Sequence, residues 1–184
     1  MTKIDLTDSL EKIPVKIFPD SGSGSAFVAK EIAALIKEKE AEGKKPVIGL
    51  ATGSSPKTLY AELVRMHKEE GLSFKNVITF NLDQYYPMNK DALQSYHYFM
   101  RKNLFEQTDI DPNNYHLPDG MIPKDKVKEH CISYEKQIED AGGLDLLHCP
   151  SDALDLPGEG ALEADERLVG SDRERCDDQA LDDL

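Results

Sequence analysis

PVIGLATGSSPKTLYAELVRMHKEEGLSFKNVITFNLDQYY, residues 46–86, decides the fold. It opens on the apolar run PVIGLA (46–51), turns through TGSSP, and then places Leu59, Leu63 and Met66 along one helical face until Gly71 ends the pattern. VITFNL (77–82) follows, rich in β-branched and aromatic side chains. Strand, helix and strand at this spacing predict parallel strands joined by a right-handed crossover.

The same alternation extends in both directions. Upstream, PVKIF (14–18) reads as a short strand, and Val28, Ile32, Leu35 and Ile36 share one face of a helix that closes near Gly43. Downstream, YPMNKDALQ is a polar loop and SYHYFMRKNLF reads as a helix. A further helix carries Val127, Cys131, Tyr134 and Ile138 in register before a final strand, LDLL (144–147). The fold class is therefore α/β, a mostly parallel sheet with helices on both faces, Rossmann-like in its layering.

A chain of 184 residues, 39 % hydrophobic, is long enough for one domain with a real core. Its 35 acidic residues against 22 basic ones repel phosphate backbones and anionic lipid, so neither nucleic acid nor membrane is an expected partner. No segment approaches the roughly 18 apolar residues of a membrane span, and MTKIDLTDSL lacks the apolar core of a signal peptide. Cys131, Cys149 and Cys176 are odd in number and far apart, which points away from a disulfide framework or zinc site and towards a reducing cytoplasm. The histidines show no metal-ligand spacing, so no metal is expected.

The composition breaks sharply near residue 147. Residues 1–147 hold 17 lysines and two arginines, whereas 148–184 hold 12 acids, three arginines and no lysine, with no Ile, Phe or Tyr. The chain thus divides into an α/β domain, 1–147, and an acidic tail with little to bury, read from composition as disordered.

Ligands of open parallel sheets sit beyond the carboxyl ends of the strands. Two features fall there. In TGSSP, Gly53 permits an unusual turn, Ser55 can cap the helix and Pro56 suits its first position. Amides and hydroxyls of Thr52, Gly53, Ser54 and Ser55 could hold a phosphate at the positive end of the helix, although the same residues also suit an ordinary capped helix start. The motifs G-x-x-x-x-G-K-[ST] and G-x-G-x-x-G are absent, so a small metabolite fits better than a nucleotide. The second feature is Asp83, an acid at the end of a buried strand. A lone carboxylate there is more often structural, but beside a phosphate cradle it fits proton transfer on a sugar phosphate, with burial behind Phe80 and Tyr85 raising its basicity. Such chemistry calls for no cofactor.

The stretch from IGLATGSSP through NVITFNLDQYY to SYHYFMRKNLF resembles the N-terminal half of the glucosamine-6-phosphate deaminases, or isomerases, over residues 15–147. That family carries TG-[GST]-[ST]-P, F-N-[LM]-D-x-Y and S-Y-x-x-F-M in this order. The resemblance implies conversion of glucosamine 6-phosphate to fructose 6-phosphate and ammonia in the cytoplasm. It assigns enolisation between C2 and C1 to Asp83 and substrate holding to Thr52 through Ser55. Family members are often oligomers, so the resemblance allows a homo-oligomer, which the truncated end could prevent. The family's later G-x-G-x-x-G-H and F-N-E-P segments, which open the sugar ring, have no counterpart here. His148 falls near the right place without the flanking glycines and is not assigned that role. By this comparison the C-terminal part of the fold is incomplete, 148–184 reads as a foreign or out-of-frame ending, and deamination is impaired. Two alternatives stand beside this reading: a 6-phosphogluconolactonase-like hydrolase, which would call for a different acidic motif after the third strand, and a non-catalytic sugar-phosphate-binding module.

Overall fold

A computed structural model describes residues 15–148 and 167–169. Its elements run α1 (Ser21–Ala41), β1 (Val47–Leu50), α2 (Lys57–Glu70), β2 (Ile78–Asn81), β3 (Asp83–Tyr85), α3 (Tyr96–Asn103), β4 (Tyr115–His116), α4 (Val127–Asp140), β5 (Leu146–Leu147) and β6 (Arg167–Val169). Two single 3-10 turns, Phe105–Gln107 and Lys124–Lys126, sit beside α3 and α4. The main sheet is parallel in the order β4-β2-β1-β5.

Both faces of that sheet are covered, as the run of apolar residues in β1 demands. On one face Ile48 and Leu50 meet Ile32 and Ile36 of α1, Leu59 and Leu63 of α2 and Met100 of α3. On the other, Val47 and Phe80 meet Tyr134 of α4, with Ile138 and Leu144 beside them. Tyr134 also fastens the strand ends, because its hydroxyl lies 2.9 Å from the Asn81 carbonyl and 3.1 Å from that of His116.

The order of the strands matters for function. From β1 the chain moves through α2 and β2 to α3 and β4 on one side, then returns through α4 to place β5 on the other side of β1. Connections diverge at β1, so the crevice favoured for ligands lies beyond its carboxyl end.

Two expectations are corrected. In the strand expected at PVKIF, the described residues 15–18 have no regular structure, and Val15 and Ile17 are 64 % and 90 % exposed. A strand needs an edge to take up its backbone groups, and this segment instead lays Phe18 against Phe27 of α1, with ring centroids 5.3 Å apart. Conversely β4, for which the sequence shows no strand pattern, extends the sheet beside β2. The acidic tail lies outside the described residues apart from His148 and the backbone of β6, which pairs antiparallel with β3.

One polar tie holds the entry to β1. Asp145, just ahead of β5, accepts hydrogen bonds from the Lys39 ammonium of α1 and from the Val47 amide at 3.0 Å. Burial alone would raise the Asp145 carboxyl, but these two bonds outweigh it and hold its pKa below the usual carboxylate range. A group depressed on folding contributes stability above its unfolded pKa and loses it as the pH falls through the folded value. Asp145→Ala should therefore lose about 1 kcal/mol at pH 7. Urea unfolding should show that deficit persisting down to about pH 4 and closing below it.

Candidate functional site

The two stretches singled out in the sequence leave adjacent parallel strands at the same end of the sheet. Leu50, the last residue of β1, is in register with Asn81, the last of β2. Its carbonyl accepts the Leu82 amide at 3.2 Å and the Asn81 side-chain amide at 3.1 Å. One acceptor thus joins the start of the glycine-serine turn to the residue preceding Asp83. Tyr60, fully buried in α2, donates its hydroxyl to the carbonyl of Ala51, fixing the next residue of the turn. Burial pushes the Tyr60 phenol far up, so it remains a donor.

In the turn, Thr52 and Gly53 are half-buried and Ser54 and Ser55 exposed. Gly53 has φ +121°, and a Cβ there would meet nothing within 4 Å. Glycine is needed for the backbone angle and not for want of room. The expected cap is corrected: Pro56 occupies the N-cap position, Lys57 begins α2, and no side chain caps the helix. A single turn from the Ser54 carbonyl to the Lys57 amide, at 3.3 Å, precedes the helix and leaves Ser55 outside its first turn. Among the described residues no hydrogen bond engages the hydroxyls of Thr52, Ser54 or Ser55, or the amides of Gly53, Ser54 and Ser55. These donors, with the start of α2 behind them, can receive an anion.

Asp83 is half-buried and begins β3, a strand only three residues long. Phe80 packs on the α4 side of the sheet, stacking on His116 at 4.6 Å and meeting Tyr134 edge-on, while the ring of Tyr85 lies 4.7 Å from that of Tyr96. Between Asp83 and Tyr85, Gln84 is completely buried and bonded to Ser95 and the Tyr96 amide at the head of α3. Sequence reasoning missed Gln84, Ser95 and Asn81. Ser95, the serine that opens SYHYFM, was open to reading as an N-cap residue, and its hydroxyl does accept the His97 amide.

Two histidines share this end of the sheet. His116 closes β4, and His148 follows β5, its amide bonded to the Gly49 carbonyl at 2.9 Å. Burial lowers the pKa of both rings, which favours their neutral forms. The His148 Nε2 is buried with no hydrogen-bond partner among the described residues. Carboxyl ends of four parallel strands thus present, in spatial order, His116, Asp83, the Thr52–Ser55 turn and His148.

Comparison with known proteins follows the same outline. The model of the glucosamine-6-phosphate isomerases/6-phosphogluconolactonase family matches residues 19–157. A glucosamine-6-phosphate deaminase-like protein of Bacteroides thetaiotaomicron is 47 % identical over 137 residues, covering 74 % of this chain and 21 % of that protein. A glucosamine-6-phosphate deaminase of Thermoanaerobacter sp. is 44 % identical over 119 residues, covering 65 % of this chain and 46 % of its own length. Among solved structures, a monomeric glucosamine-6-phosphate deaminase superposes with TM-score 0.67 at 34 % identity, covering 72 % of this chain and 53 % of that one. A 6-phosphogluconolactonase from Thermotoga maritima gives TM-score 0.59 at 25 % identity, covering 72 % and 56 % respectively. The chain spans about half the length of the Thermoanaerobacter deaminase it matches.

Proposed function

Because the chain belongs to the glucosamine-6-phosphate isomerase/6-phosphogluconolactonase family, we propose that it binds a phosphorylated amino sugar beyond the ends of β1 and β2 and carries out its isomerisation. The phosphate is held by Thr52, Gly53, Ser54 and Ser55, and Asp83 moves the proton. The observation that carries this reading is the shared Leu50 carbonyl, which fixes the turn and the approach to Asp83 to one another.

In the open-chain amino sugar the Asp83 carboxylate takes the proton from C2. The C–H electron pair becomes the C1=C2 double bond, and the aldehyde oxygen takes up a proton as an enol. Return of the carried proton to C1 while the nitrogen lone pair closes onto C2 gives an iminium, which water converts to the ketone and ammonia. Electrons stay within the substrate, so this route uses no redox cofactor. A positioned base contributes typically about 10²- to 10⁴-fold, and an anchored phosphate turns remote binding energy into orientation.

Ring opening is the step this chain serves poorly, since the G-x-G-x-x-G-H and F-N-E-P segments have no counterpart in it. Ammonia release from glucosamine 6-phosphate should accordingly be slow or absent, while proton exchange on a sugar that opens by itself persists. The test is to hold the chain with fructose 6-phosphate in D₂O and follow deuterium entering C1 by NMR. Exchange supports the isomerising reading. Binding without exchange would favour a non-catalytic sugar-phosphate module, and hydrolysis of 6-phosphogluconolactone would favour the lactonase branch, which shares the fold.

The turn makes its own prediction. Gly53→Ala forces a non-glycine residue to φ +121° in open space, so the backbone should relax away from the observed turn. Calorimetric titration with fructose 6-phosphate should show affinity falling about tenfold or more, equivalent to roughly 1–3 kcal/mol of strain.

A further inference from the structure

We propose that Gln84 is a positioning residue that sets the direction of the Asp83 carboxylate by anchoring β3 to the head of α3. The proposal rests on reading Asp83 as the base and identifies what holds it.

Gln84 is 0 % exposed, and every polar atom of its side chain is used. Its Nε2 donates to the Ser95 hydroxyl at 3.1 Å; its Oε1 accepts the Tyr85 amide at 2.9 Å and the Tyr96 amide at 3.1 Å. Ser95 is itself fully buried and accepts the His97 amide at 3.1 Å, so the glutamine joins the capping group of α3. Side chains of a strand alternate between its faces. Holding Gln84 towards α3 therefore fixes the rotation of β3 about its own axis, and with it the side to which Asp83 projects.

β3 is three residues long and pairs antiparallel with β6 along its length, and the Gln84 bonds add a second tie, to the head of α3. The loop 118–122 closes over β3 from one side: Gly120 comes so near that a Cβ would lie 3.2 Å from the Gln84 Cγ. The amide suits the place in a second way. It supplies one donor and two acceptor sites without placing a second negative charge one residue from Asp83. A glutamate could accept the same two amides while the Ser95 hydroxyl turned to donate, but its charge would disfavour the ionised form of the neighbouring acid.

Two variants of the full chain test this. Gln84→Met keeps length and removes all three bonds; Gln84→Glu keeps the bonds and adds charge. With fructose 6-phosphate in D₂O, Gln84→Met should exchange at C1 about 10²-fold more slowly, with affinity for the sugar phosphate within about twofold of the parent. Gln84→Glu should recover most of the rate, with the acid limb of its pH profile moved to higher pH. A mere fastening of α3 would lower rate and affinity together and leave the profile in place, and that result would overturn the proposal. A measurement without substrate covers the case of no exchange in the parent, which would sink the isomerising reading alone. Three-bond couplings of the Asp83 β-hydrogens should report one side-chain rotamer in the parent and in Gln84→Glu, and averaging in Gln84→Met. Unchanged couplings in Gln84→Met would refute the role of Gln84 whatever the chemistry.

Discussion

Asp83→Asn should abolish deuterium entry at C1 of fructose 6-phosphate, lowering the rate by about 10²- to 10⁴-fold, while affinity for the sugar phosphate stays within about twofold of the parent. The split follows from the division of labour proposed at the strand ends. The phosphate is bound by the Thr52–Ser55 turn, which the substitution does not touch, and the amide that replaces the carboxylate is nearly isosteric but cannot take a proton at neutral pH. An interaction used only in the transition state appears in the rate and not in binding. Equal losses of rate and affinity would instead place Asp83 among the groups that hold the sugar.

The second large effect is structural and reaches the same strand. Gly120 is buried, and its carbonyl accepts the Met88 amide at 2.8 Å. A Cβ added there would stand 2.6 Å from the Tyr85 carbonyl oxygen and 2.7 Å from that of Met88. Both are backbone atoms and cannot swing aside as a side chain would. Gly120→Ala should therefore cost about 1–3 kcal/mol, lowering the Tm by roughly 3–12 °C. The loop must withdraw from Tyr85, so the hydrogen bond from the Tyr86 hydroxyl to the Ile122 carbonyl, 2.8 Å, should weaken too. Thermal unfolding followed by tyrosine fluorescence measures the first effect. Faster hydrogen exchange at the Met88 amide reports the second, because its acceptor moves with the loop.

What the sequence revealed of this fold depended on how local each signal was. β1, α2 and β2 were legible because Val47–Leu50 is a continuous apolar run, because Leu59, Leu63 and Met66 recur at helical spacing, and because Gly71 closes the helix in a left-handed conformation. α4 was legible by the same periodicity. β4 was not: two residues carry no alternation, and its support comes from β2 beside it and from the Tyr134 hydroxyl beneath its end. PVKIF failed in the opposite sense, since a strand-like composition cannot supply the neighbouring edge a strand requires, and Phe18 finds Phe27 instead.

The same distinction governs the candidate site. The positions of Asp83 and the glycine-serine turn at strand ends could be read from the order of elements and the rule for parallel sheets. That Pro56, not a serine, would hold the N-cap position could not, because the extra turn from Ser54 to Lys57 is set by the fixed φ of Pro56 and the burial of its ring. Gln84 was invisible for a different reason. Its importance comes from partners 11 and 12 residues away, which only the docking of α3 on β3 brings within reach. Buried polar groups that satisfy one another across elements leave no periodic trace in a sequence.

The most direct test of the central claim, that the turn and the acid serve one site, is a titration of the isotopically labelled chain with fructose 6-phosphate followed by amide chemical shifts. The account predicts that Gly53, Ser54, Ser55 and Asp83 shift together along a single binding curve, with Gln84 following more weakly. Shifts confined to the turn, confined to Asp83, or following two curves of different midpoint would contradict it.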